Sequence, residues 1–149
     1  MPGYKGHIGG GVVSGVVIAV VLVGLSIIRP DHLTLLFLGV VTLLGALFPD
    51  VDTDSKAQNL FYSCVLIVDL ILMLKGLFRS AAMLGFVALL PAIGHHRGWT
   101  HTWWAMLLVP APIIVLPLLV WGELEYGFIP YYLAAVTGYL SHLVLDRTF

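Results

Sequence analysis

The sequence predicts an all-α protein: a polytopic membrane helix bundle of about six transmembrane helices whose polar motifs converge at one membrane face. Three observations predict it. Of the 149 residues, 60% are hydrophobic and only 10% charged, with a mean hydropathy of +1.02, well outside what soluble domains show. Long apolar runs alternate with short polar punctuation along the chain. Most of the histidines and carboxylates fall within that punctuation. No linker, repeat or soluble segment breaks the pattern, so residues 1–149 read as a single integral membrane domain.

The apolar runs place helices near residues 11–28, 33–48, 58–75, 79–94, 103–121 and 128–145, and the shortest of these fall just under the ~17 residues a full span needs. The first run follows Lys5 and three glycines and has no small-residue cleavage site after it, so it reads as a retained span, not a removed signal peptide. Gly11 and Gly15 within it form a small-xxx-small pair that lets a neighbouring helix approach closely. Arg29-Pro30-Asp31 separates the first two helices, and Pro49 closes the second, because a residue preceding proline is driven out of the helical region. Asp54 or Ser55 caps the third helix, with Ser55-Lys56-Ala57-Gln58 reading as a capping box. Asp69, inside the third run, is expected toward the far surface, paired with Lys75 or Arg79. Pro110, Pro112 and Pro117 bend the fifth helix. Trp99, Trp103 and Trp104 at one helix end, and Tyr126, Tyr131 and Tyr132 at another, suit the aromatic belts of membrane surfaces.

Charge and cysteine content exclude several classes. A net charge of -1 without a basic cluster offers no footprint for nucleic acid. The single Cys64 precludes an intrachain disulfide and reads as a small core side chain. There is no HExxH helix, no nucleophile elbow and no P-loop.

With six spans, the amino terminus, the 49–57 and 95–102 loops and the carboxyl terminus share one side of the membrane. That side receives His7, Asp50, Asp52, Asp54, His95, His96, Arg97, His101 and Asp146, with His142 a turn inside the last helix; the other receives Asp31, His32, Glu123 and Glu125. Five of the six histidines thus accompany four of the eight carboxylates, a gathering that points to a cation site. His142 and Asp146 are four apart on a helix, so they either grip one ion together or hydrogen-bond to each other at the helix end. His96 and His101 flank Gly98 at a spacing that suits a turn folding both imidazoles inward; the alternative is an interfacial loop facing water. Asp50, Asp52 and Asp54 alternate like the start of a calcium loop, but Ser55 stands where that loop needs glycine and Phe61 where it needs glutamate. Asp50 and Asp52 remain as carboxylates able to ligate or bridge metal ions, while Asp54 serves equally as a helix cap. Arg97 suits a phosphate or the developing charge of a phosphoester transition state, or else pairs with a nearby aspartate or lipid headgroups.

Together, GH at 6–7, LFPDVD at 47–52, HRGWTH at 96–101 and GYLSHLVLD at 138–146 resemble, in that order, the motifs of the YdjM-like family of predicted membrane-bound metal-dependent hydrolases. The resemblance spans essentially the whole chain, with Phe48 in place of a leucine and Thr102 in place of a serine. It implicates His7, Asp50, Asp52, His96, Arg97, Thr100, His101, His142 and Asp146 and gives His95 and Asp54 no special standing.

The expectation that follows is an inner-membrane, multi-pass hydrolase. His7, Asp50, Asp52, His96, His101, His142 and Asp146 are the candidate metal ligands, and Arg97, Thr100 and Asp52 the candidate catalytic residues. Mixed imidazole and carboxylate donors suit zinc or manganese, and candidates in excess of the four a structural zinc takes favour two ions over one. Metal-activated water would act on an ester or phosphoester, and a site at headgroup depth suits a lipid as substrate. The alternatives are a divalent-cation transporter, for which only Asp69 and a few hydroxyls lie at mid-membrane depth, and a non-catalytic metal-binding membrane protein. Four basic residues on the site's side (Lys5, Lys56, Arg97, Arg147) against three opposite (Arg29, Lys75, Arg79) are too even for the positive-inside rule to decide, and the expectation leans to a cytoplasmic site.

Overall fold

Apart from Ser14, the first run contains nothing polar beyond His7, and Tyr4–Gly24 forms one 21-residue helix, α1, about 30 Å long at the helical rise. The computed structural model describes residues 4–51, 56–89, 99–122 and 126–146, and every regular element among them is helical. Because α1 begins well before the apolar run, His7 sits on the helix and not on a loop ahead of it. Ser26 ends α1 in the left-handed region, φ 57°. The Ile27 amide there donates to the Leu22 carbonyl and the Ser26 amide to that of Val23, both at 2.9 Å, a C-capping pattern usually built on glycine.

Asp31 starts the second helix, α2 (His32–Leu47), by accepting a hydrogen bond from the Thr34 amide at 3.0 Å. The hydrogen bonds from Thr34 hold the Asp31 carboxyl below its ordinary range, so the cap is charged at neutral pH. α2 ends at Pro49 in a 3-10 turn over Phe48–Asp50, but Phe48 before the proline keeps helical angles (φ -56°, ψ -41°) and is not driven out of the helical region as expected. The third helix, α3 (Lys56–Leu74), closes on Gly76 at φ 72°, with Leu77 donating to Leu72 and Gly76 to Met73. It turns directly into α4 (Phe78–Leu89), which packs along it.

The fifth helix does more than bend. Pro110 and Pro112 remove two amide donors within three residues, and the segment divides into α5 (Trp103–Leu108) and α6 (Pro112–Trp121), with Pro117 inside the latter. A 3-10 turn over Tyr126–Phe128 leads into α7 (Ile129–Asp146).

Three stretches are long and apolar enough to cross a membrane, Lys5–Gly24, His32–Asp50 and Tyr126–Asp146, while Gln58–Leu74 and Trp103–Leu119 are shorter apolar helices. The six-span expectation is thus met by three of the described helices. The described part of α4 covers 12 residues, and the remainder of the 79–94 run lies outside the described residues. Nor does Asp69 pair as expected: among the described residues it has no ion pair with Lys75 or Arg79, and its buried Oδ1 has no hydrogen-bond partner. Lys75 lies six positions further on, on another face of the helical path, and Arg79 lies beyond the Gly76 turn.

The heart of the fold is the mutual packing of α1, α2 and α7. Small residues permit it. A Cβ on Gly138 of α7 would overlap the carbonyl oxygen of Thr42 in α2, and one on Gly45 of α2 would overlap that of Ala135 in α7. Gly11 of α1 faces Ala46, at 2.9 Å from a Cβ built there, and Gly15 faces Thr42. The Gly11/Gly15 pair therefore serves as its spacing predicts, against α2. Elsewhere the helices present apolar side chains outward, including Val12, Val16 and Val20 on α1, the pattern of a lipid-facing surface.

Candidate metal centre

Each of the polar residues that meet here is delivered by a helix end or by the turn beside it. α1 carries His7 in its second turn, the 3-10 turn closing α2 carries Asp50, a 3-10 turn over Trp99–His101 carries His101, and the last turns of α7 carry His142 and Asp146. An apolar floor of Phe48, Val51, Phe61, Ala105, Tyr139 and Leu143 supports them. Phe48 packs edge-on to Phe61 at 5.6 Å between ring centroids. His7 and His142 are 2% and 0% exposed, respectively.

Four ligand atoms, one each from Asp50, His101, His142 and Asp146, lie within 4.8 Å of one another. Nε2 of His142 is 3.6 Å from Asp50 Oδ1 and 3.5 Å from Asp146 Oδ2; Nε2 of His101 is 3.7 Å from each of the same two oxygens. Four donors around a tetrahedral ion at zinc bond lengths stand about 3.4 Å apart, so this spacing is that of a ligand cage slightly relaxed. His7 completes the cluster, its ring stacked on that of His142 at 3.9 Å and 16°.

The hydrogen bonds behind the cluster orient it. Nδ1 of His142 lies 2.7 Å from the Ala46 carbonyl oxygen, an atom that can only accept. Nδ1 therefore carries a proton, and in the neutral ring Nε2 presents a lone pair to two carboxylate oxygens. This Nε2 is buried without a hydrogen-bond partner, as are His7 Nδ1 and Asp146 Oδ1. A buried imidazole nitrogen set against carboxylate oxygens is satisfied by a positive charge between them, a proton or a metal ion. The donor set thus fits a divalent metal ion.

Thr100, fully buried, sets the position of His101: its hydroxyl is 3.2 Å from His101 Nδ1. The Tyr139 hydroxyl donates to the Thr100 carbonyl and ties α7 to the same turn. Thr102 closes the turn by donating to the Trp99 carbonyl at 2.6 Å and caps α5. Tyr139→Phe is expected to cost about 1 kcal/mol of stability and to weaken metal retention by loosening the His101 turn. Thermal unfolding and metal content of the detergent-purified variant measure both.

Of the residues singled out in the sequence, His7, Asp50, Thr100, His101, His142 and Asp146 come together here. Asp52, His96 and Arg97, with Asp54, Ser55 and His95, lie outside the described residues. His32, at the start of α2, is exposed at the end of that helix remote from Asp50. The Ala46 carbonyl and Tyr139 were not foreseen. Tyr139 does stand in the GYLSH stretch, one helical turn before His142, which was a usable signal.

The fold and the cluster define a helical membrane protein with a buried histidine-aspartate centre that can hold a metal ion. The chain belongs to the YdjM inner membrane protein family, whose model matches residues 1–148. Among curated proteins and among solved structures, nothing matches it.

Proposed function

We propose that the protein is a metal-dependent hydrolase of an ester or phosphoester, with a lipid as the substrate that suits the site's depth. The observation that carries this reading is the bare, fully buried Nε2 of His142 held against two carboxylates by the Ala46 hydrogen bond. Asp50, His101, His142 and Asp146 hold the ion, zinc or manganese, with His7 beside them; Asp52 and His96 join them as ligands. A divalent ion there supplies Lewis acidity and brings the pKa of water toward about 7. Thr100 orients His101, Arg97 steadies the anionic group of the substrate, and Asp52 serves as proton acceptor.

The helices bearing the site end together, as they do when a bilayer is spanned several times. In this reading α3, α4 and the α5–α6 pair add the remaining membrane-embedded segments to the three long spans, and the centre lies at headgroup level on the cytoplasmic side. A substrate tail would then remain in the lipid while its head reaches the ion.

Detergent-purified protein is expected to contain a divalent metal and to hydrolyse members of a panel of lipid phosphoesters, with chelator abolishing turnover. His142→Ala is expected to lose the metal together with activity. Metal-free protein as isolated, or unchanged metal content in His142→Ala, overturns the reading. Tightly held metal without turnover on any ester marks a non-catalytic metal-binding protein instead.

A further inference from the structure

Each carboxylate at the centre is split between two sets of imidazoles. Asp50 turns Oδ1 to His101 and His142, and Oδ2 to His7 Nε2 at 4.0 Å. Asp146 repeats the division, with Oδ2 toward His101 and His142 and Oδ1 toward His7 Nε2 at 3.3 Å. We propose that the centre holds two divalent cations bridged by both carboxylates. The first lies among Nε2 of His101, Nε2 of His142, Asp50 Oδ1 and Asp146 Oδ2. The second lies among His7 Nε2, Asp50 Oδ2 and Asp146 Oδ1. The proposal rests on the reading of the cluster as a metal centre and adds a second position to it.

Two further observations point to that position. The stacked rings of His7 and His142, 3.9 Å apart and 16° from parallel, address the same two carboxylates side by side. Their separation matches the roughly 3.5–4 Å between the ions of two-metal sites. Asp146 Oδ1, on a side chain only 7% exposed, has no hydrogen-bond partner although His7 Nε2 is 3.3 Å away. A single ion in the first position engages the other oxygen and leaves this one buried and unserved.

Charge gives the arrangement a consequence for the substrate. Two dications against two carboxylates, with neutral imidazoles, leave a surplus of positive charge among the described ligands. Such a surplus favours an anionic group, which within the hydrolase reading selects a phosphoester over a neutral ester.

The test is a metal count on the detergent-purified chain, stripped with chelator and dialysed against Zn2+. Two zinc ions per chain are expected in the wild type. One is expected in His7→Ala, the second being weakened by more than about 100-fold, beyond what loss of an outer-shell partner costs. Reloading with Mn2+ is expected to give the paramagnetic resonance spectrum of an exchange-coupled pair in the wild type and of an isolated ion in His7→Ala. One zinc per wild-type chain, uncoupled Mn2+, or an unchanged count in His7→Ala overturns the bridged pair while leaving a metal centre in place. No bound zinc at all overturns the metal centre with it. If His7→Ala does not fold, the wild-type count and spectrum decide.

Discussion

Gly138→Ala is expected to destabilise the protein by about 3 kcal/mol or more, at the upper end of what overpacking costs. The added Cβ would overlap the Thr42 carbonyl oxygen and come within 2.8 Å of the Thr42 carbonyl carbon. These are backbone atoms of a packed helix, so no rotamer change relieves the clash, and α7 must move away from α2. That movement pulls His142 from the Ala46 carbonyl, and metal retention should fall along with the melting temperature. Gly39→Ala on α2 is the control: a Cβ there meets nothing within 4 Å, and the change should stay within about 1 kcal/mol of wild type, stabilising if anything. Thermal unfolding of the two variants in one detergent measures the contrast; equal melting temperatures would contradict the close contact of α2 with α7.

Asp146→Asn is expected to show effects of opposite sign with and without metal. In the metal-free chain Asp50 and Asp146 are two carboxylates turned toward the same buried imidazole. Removing one relieves repulsion, so the stripped variant should be at least as stable as the stripped wild type. With zinc the order reverses. An ion at a thousand times its dissociation constant stabilises the wild type by about 4 kcal/mol, whereas the amide should weaken binding by more than about 100-fold and remove most of that gain. Melting temperatures of both proteins, stripped and zinc-loaded, test this. A purely structural Asp146 would lower both by the same amount.

Much of this architecture was legible in the sequence because it rests on local patterns. Uninterrupted apolar runs mark α1, α2 and α7, a proline marks the end of α2, and the spacing of His142 and Asp146 puts them on one helix face. Hydropathy measures apolar content rather than helix continuity, so the divided α5–α6 pair read as one span. The proline cluster signalled a disturbance in the fifth helix, yet whether prolines kink or divide it depends on the hydrogen bonds left to its flanks. At the site, residue types and their common side of the membrane sufficed to collect His7, Asp50, His101, His142 and Asp146. The partners that orient them were hidden, because the Ala46 carbonyl and the Tyr139 hydroxyl act across helix contacts. The α2–α7 contact that brings the Ala46 carbonyl to His142 depends on the absence of side chains at Gly45 and Gly138, and no spacing rule within one helix reveals which glycine will meet which backbone.

The meeting of α1 with α7 also imposes a timetable. His7 lies on α1 and Asp146 on α7, far apart along the chain, and both belong to one cluster. No growing chain can possess that cluster until α7 has been synthesised and docked against both α1 and α2. Any ion the cluster takes must therefore wait on α7, a latch that cannot shut before that helix is in place.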